Sequence, residues 1–216
     1  MKRPRAHRLA AVGCALTAGM GCASTPDPLS LAPTETLEAQ DYPEVLSRWT
    51  RSAEIFDGLF SVMYLNASFH APELRKAFLL RFPESYGRGS DEAERLTLAN
   101  PDAETHWEFF LSASTPHQAH NDLARPDSIW RVSLRADGGP EVEARVRRVD
   151  LNANLRVFYP YVTPFASGYG LEFPLTTLEG TPLIRPETRK VVLRVASALG
   201  SAEMEWALSP SAASGT

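Results

Sequence analysis

The chain is poor in cysteine. Only Cys14 and Cys22 occur among 216 residues, so a folded region beyond position 22 holds no pair from which to close a disulfide and must stand on its core. Long apolar runs are missing as well. The uncharged run from Leu9 to Met20 spans 12 residues, well short of the ~20 that a membrane-spanning helix needs. There is no excess of positive charge: 22 Lys and Arg stand against 26 Asp and Glu, a net charge of −4. That balance excludes the broad basic face that nucleic-acid phosphates require. Hydrolase signatures are absent too. No Gly-x-Ser-x-Gly elbow occurs, and Gly87-Arg88-Gly89-Ser90 lacks the Lys-Ser/Thr ending of a phosphate loop.

What is present begins at the first residue. A basic cluster (Lys2, Arg3, Arg5, Arg8) precedes the uncharged run, which closes on Gly21-Cys22. That is the layout of an export signal. The stretch resembles the signals of bacterial lipoproteins, which end in Leu, a small residue, Gly or Ala, then Cys. Here the box reads Gly19-Met20-Gly21-Cys22; Gly21 and Cys22 fit, whereas Gly19 and Met20 depart from the pattern. A box at Cys14 would leave too short an apolar region. Cleavage after Ala23, as in an ordinary secreted protein, is the alternative.

The resemblance implies removal of residues 1–21, a diacylglycerol on the Cys22 thiol, and a palmitate-type acyl anchor. Ala23 and Ser24 follow Cys22 where Asp would favour retention in the inner membrane, so it also implies the outer membrane. Loss of the four basic residues leaves 18 against 26, a net charge near −8. An acidic domain gains nothing from anionic lipid, so attachment falls to the acyl chains. One chain binds at only about 10⁴ M⁻¹, but two or three on one residue make release negligible.

Residues 22–40, rich in Ser, Thr, Pro and Ala, read as the lipidated cysteine and a flexible tether. At Asp41 a capping box with Glu44, and Pro43 in the first turn, predict a short helix carrying Val45, Leu46 and Trp49. Alternation from Trp49 to Ile55 and from Leu59 to Phe69, around Asp57-Gly58, predicts a hairpin whose second strand is central. Leu74, Ala77, Phe78 and Phe82 mark a helix that Pro83 ends or bends. Ser90-Asp91-Glu92 caps another short helix. Thereafter the pattern is β: Trp107–Leu111, Trp130–Leu134, Val142–Val146, Leu155–Tyr161, Tyr169–Phe173, Lys190–Ala196 and Ala202–Leu208, with a polar loop at Ser114–Ser128 and a turn at Asp137-Gly138-Gly139.

Nine strand candidates and two or three short helices in the N-terminal third predict a mainly β, antiparallel β-sandwich over residues 41–208, followed by a tail at 209–216. A partly open barrel is the alternative. Trp130-x-Val132-x-Leu134, Tyr159-Pro160-Tyr161-x-Thr163-Pro164, Leu171-x-Phe173-Pro174 and Glu205-Trp206 resemble a group of uncharacterised envelope lipoproteins of Gram-negative bacteria. That resemblance implies no activity.

Candidate sites are few. His117-x-x-His120, with Asp122 and Asp127 nearby, is the metal candidate, because imidazoles three apart can share a face and a carboxylate can complete a set. It sits in a polar loop, where two solvated histidines are the simpler reading. His70 and His106 read as packed or exposed. Tyr159, Tyr161, Phe165 and Tyr169, interleaved with Pro160, Pro164 and Gly168, read as a contact surface for an envelope protein or glycan, or else as rings capping the core. Together these features predict a lipid-anchored envelope domain with a binding or structural role, no cofactor and no nucleic-acid partner. A metal-dependent periplasmic hydrolase using His117 and His120, and an accessory subunit of an envelope complex, are the alternatives.

Overall fold

The structure of the chain, a computed structural model, describes residues 27–32, 36–86 and 105–210. Cys22 and the helix expected after Ser90 lie outside the described residues, as does most of the tail. The fold is mainly β, with nine strands in two antiparallel sheets among the described residues. The first sheet takes the order β1 (Thr50–Asp57), β2 (Phe60–Phe69), β3 (His106–Ser114), β7 (Ser167–Pro174), β6 (Arg145–Val149). The second runs β5 (Val142–Glu143), β4 (Arg131–Ala136), β8 (Lys190–Ser197), β9 (Gly200–Ala207). Among the described residues three α-helices accompany them: α1 (Tyr42–Trp49), α2 (Pro72–Tyr86) and α3 (Ala153–Phe158).

The sandwich closes on both sides. On one side β5 and β6 are nearly continuous, and the Ala144 amide between them donates to the Val132 carbonyl at 2.8 Å, so one strand changes sheets at a bend. On the other side β1 lies against β9. Arg51 Nε donates to the Glu205 carbonyl at 2.8 Å and Trp206 Nε1 to the Trp49 carbonyl at 2.9 Å. Between the sheets Phe69 stacks on Phe109 at 4.5 Å, and Phe109 meets Phe173 and Trp206 edge-on.

The outer face of the first sheet is covered as well. Tyr42, Phe78, Phe82 and Phe158 from the three helices pack together, with Phe78 and Phe158 centred 4.4 Å apart. Tyr159 lies on Phe110 of β3 at 4.1 Å. Strand β3 is therefore buried on both faces, whereas β2, central as expected, is buried on both only at its Ala67–Phe69 end and leaves Phe60 and Tyr64 exposed. Strand β4 keeps one wet face, where Arg131 pairs with Glu143 at 3.5 Å; such an exposed pair is worth less than ~1 kcal/mol.

Several local expectations are corrected. Leu155–Tyr161 is not a strand. Asn152 Oδ1 accepts from the Leu155 amide at 2.9 Å and caps α3, whose Leu155 and Phe158, three apart, face inward. The Asp57-Gly58 turn is shifted by one residue: Asp57 pairs with Phe60, and Gly58, at φ +59°, is the first of two central residues, the type II′ arrangement. Asp41 does not cap α1 through its side chain; its carboxylate reaches back to the Glu38 amide at 2.8 Å. Helix α2 runs through Pro83 to Tyr86. Within the stretch expected as a tether, the described residue Leu29 bridges Leu208 in parallel, its amide donating to Ala207 and its carbonyl accepting from Ser209.

Candidate functional site

The densest group of polar side chains lies on the outer face of the first sheet, beneath α2 and the segment after α3. His70 directly follows β2, and its amide donates to the Glu108 carbonyl at 2.9 Å. Its Nε2 lies 2.9 Å from the Tyr159 hydroxyl, and its Nδ1 lies 3.7 Å from Glu108 Oε2. The second separation is an electrostatic contact longer than a hydrogen bond. A carboxylate can only accept, so it favours the tautomer with the proton on Nδ1; Nε2 then accepts from Tyr159. Arg75, from the first turn of α2, donates from Nε to the His70 carbonyl at 2.6 Å and approaches Glu108 at 3.4 Å.

Beside them, Glu108 and Glu172 are directly opposed across β3 and β7, a repulsive placement unless each carboxylate is neutralised. Arg75 serves Glu108; Arg147 Nε donates to Glu172 at 3.1 Å, and Arg145 lies 3.7 Å from it. The Arg147 guanidinium crosses Gly170, where a Cβ would approach its Cζ within 2.8 Å. A side chain at 170 would have to push the flexible end of Arg147 aside and disturb its hold on Glu172.

Burial governs the titration of this group. Desolvation first, with Arg75 and Arg147 adding to it, holds the His70 imidazole down at about 4 against the pull of Glu108. Burial likewise raises the Tyr159 phenol well above its ordinary value, with Tyr42, Tyr161 and Glu108 adding to the rise. At neutral pH the imidazole and phenol are therefore both uncharged. The Glu–His–Tyr order is that of a proton relay, but the space lined by His70, Glu108, Arg147 and Gly170 holds no water-sized cavity. Sealed in this way, the group acts as a set of polar pins between sheet and helices.

The sequence-derived candidates are placed as follows. Tyr159 and Tyr169 are buried and cannot form a contact surface. The Tyr169 hydroxyl donates to Asn121 at 2.8 Å, and half-buried Tyr161 shares a 2.7 Å hydroxyl contact with Ser68. Of the four rings Phe165 alone is exposed, at 77%. The expected surface is thus a cap on the core, because the loop folds back under α2 and the rings have an apolar face to fill.

His117 and His120 do come together, with ring centroids 5.7 Å apart. Their nearby carboxylates are engaged elsewhere: Asp122 accepts from Ser128, and Asp127 is bound by Arg125 through two 3.0 Å bonds. No group of three His, Cys, Asp or Glu placed to hold a metal occurs among the described residues.

A cleft of about 610 Å³ lies between the Leu29 segment and α1, lined by Asp27, Glu44, Arg48, Arg51 and Glu73. Four of these charges are engaged with one another or with the backbone, Glu44 lying 3.9 Å from Arg48. Arg48 pairs with Glu73 at 2.8 Å, and Arg51 donates to three carbonyls.

The buried polar group was not visible in the sequence, since His70 and Tyr159 are 89 positions apart. One signal was available: Glu108 sits in a strand whose neighbours Phe109 and Phe110 are both aromatic, which marks a strand covered on both faces.

No family model and no curated protein matches the chain. Among solved structures, a protein of unknown function from Burkholderia pseudomallei K96243 is similar, at 16% identity over 81% of this chain and 90% of that one, with a TM-score of 0.38. A likeness at that level carries no argument about function.

Proposed function

We propose that the chain is a lipid-anchored domain of the bacterial cell envelope, held at the outer membrane through Cys22 and acting by binding or structural support. The observation that carries this reading is the basic cluster, short apolar run and Gly21-Cys22 at the start of the sequence. Two features are in keeping with it. The folded region contains no cysteine, as suits a domain that stays intact in an oxidising compartment without disulfides. Its buried titratable groups are spent on one another, with no water-sized cavity beside His70 and Glu108.

Cell fractionation of the full chain beside Cys22→Ser tests the reading. The parent is expected in the membrane fraction, released by detergent but not by salt, and the variant as unprocessed precursor. A parent protein found free in the periplasm or medium, with the variant processed identically, would overturn it.

A further inference from the structure

The largest exposed apolar side chains of the first sheet gather at one place. Phe56, Leu59 and Phe60 surround the β1–β2 turn and are 54%, 97% and 78% exposed. Turns are ordinarily polar, and a cluster of this kind on a surface marks an interaction site. We propose that this hairpin tip lies in the headgroup region of the same bilayer that holds the acyl chains on Cys22. The proposal rests on the lipid-anchor reading above for its choice of a bilayer as occupant.

The direction of the chain carries the argument. Because Leu29 pairs with Leu208 in parallel, Pro28 and Asp27 point the chain back along β9 toward Gly200. Asp27 accordingly lines a cleft with Arg51, which donates to the Glu205 carbonyl. At the far end of β9, the Gly200 turn abuts Ile55 and Phe56, from which the hairpin projects. Cys22 lies five residues before Asp27, a reach of about 17 Å when extended. From Glu205 to Gly200 is also five residues of strand, again about 17 Å. The anchored cysteine can therefore come level with the turn beside which the hairpin projects.

Aromatic and leucine side chains suit that depth, since interfacial segments bury about 5–10 Å into the boundary of headgroups and acyl chains. The one charge within the tip, Asp57, makes a zwitterionic surface the better host than a strongly anionic one. Glu54, farther down β1, accepts from Ser61.

The mature protein contains no free thiol if Cys22 is acylated, and none if cleavage follows Ala23. Leu59→Cys therefore gives a single attachment point for a solvent-sensitive dye. Leu178→Cys, on an equally exposed leucine in the β7–β8 connection, is the control; β8 begins opposite Ala207, at the Leu29 end of the sandwich. In zwitterionic phosphatidylethanolamine–phosphatidylcholine vesicles the label at 59 is expected to gain about twofold or more in emission, shift to the blue and be quenched by brominated lipid, while the label at 178 stays in water.

Mass spectrometry of the same samples reads acylation separately. Acylated, vesicle-bound protein whose label at 59 remains open to an aqueous quencher overturns the hairpin contact and leaves the anchor standing. A non-acylated protein whose label at 59 still enters lipid overturns the anchor and keeps the hairpin contact. A label protected without lipid quenching indicates a protein partner or second copy, and overturns the membrane contact.

Discussion

The His70 imidazole and the Tyr159 phenol, both buried, meet at 2.9 Å beneath α2. This contact joins the end of β2 to the segment after α3 and fixes an uncharged histidine in the fold. An unfolded imidazole titrates near ~6.5, whereas this one titrates at about 4. Between those values the unfolded chain binds a proton that the native state refuses. The contribution of His70 to stability is therefore complete above pH ~6.5, falls as the pH drops toward about 4, and is exhausted below that, a change on the order of 3 kcal/mol. Urea midpoints at several pH values, for the parent and His70→Gln, measure it. The variant is expected to be less stable at neutral pH and to fall less steeply on acidification; parallel curves would refute the assignment.

Glu73 ties α1 to α2 by accepting from Trp49 Nε1 at 2.6 Å and Arg48 at 2.8 Å. Glu73→Ala leaves a largely buried indole N–H without an acceptor and is expected to cost about 2 kcal/mol. Glu73→Gln keeps an acceptor and is expected to lose about half as much. Equilibrium denaturation separates the two variants, and equal losses would show that charge, not the indole bond, matters.

The closure of β1 on β9 depends on Gly200. Its φ is +138°, and a Cβ there would stand 2.8 Å from Ile55 Cγ2 and 2.9 Å from the Phe56 carbonyl. Gly200→Ala is expected to destabilise by about 2–4 kcal/mol. Gly58→Ala is expected to cost only about 1 kcal/mol, because that position, also at positive φ, has open space around it. Thermal unfolding of the pair gives the comparison; similar losses would contradict a steric role for Gly200.

The strands were legible where alternation was clean. Trp130, Val132 and Leu134 are buried as the period of two requires, and Asp137 makes its turn at φ +48°, with its carboxylate accepting from the Arg189 and Lys190 amides at 3.0 Å. The α3 segment misled because Val157, Phe158, Tyr159 and Tyr161 favour strands, while its helical signals were a cap at Asn152 and one apolar pair at i, i+3. The tyrosines of that segment looked like a docking surface because sequence does not reveal that helices cover the outer face of the first sheet. The same covering layer hid the His70–Glu108–Tyr159 group, whose members come from three separate elements. The hairpin itself was legible, but not the exposure of Leu59 and Phe60, which read as the start of a buried strand.

The amino-terminal residue of the protein recovered from bacterial membranes tests the lipid-anchor proposal most directly. Mass spectrometry is expected to find Cys22 first, its sulfur carrying diacylglycerol, with residues 1–21 removed. An unmodified peptide beginning at Ser24 would contradict the anchor.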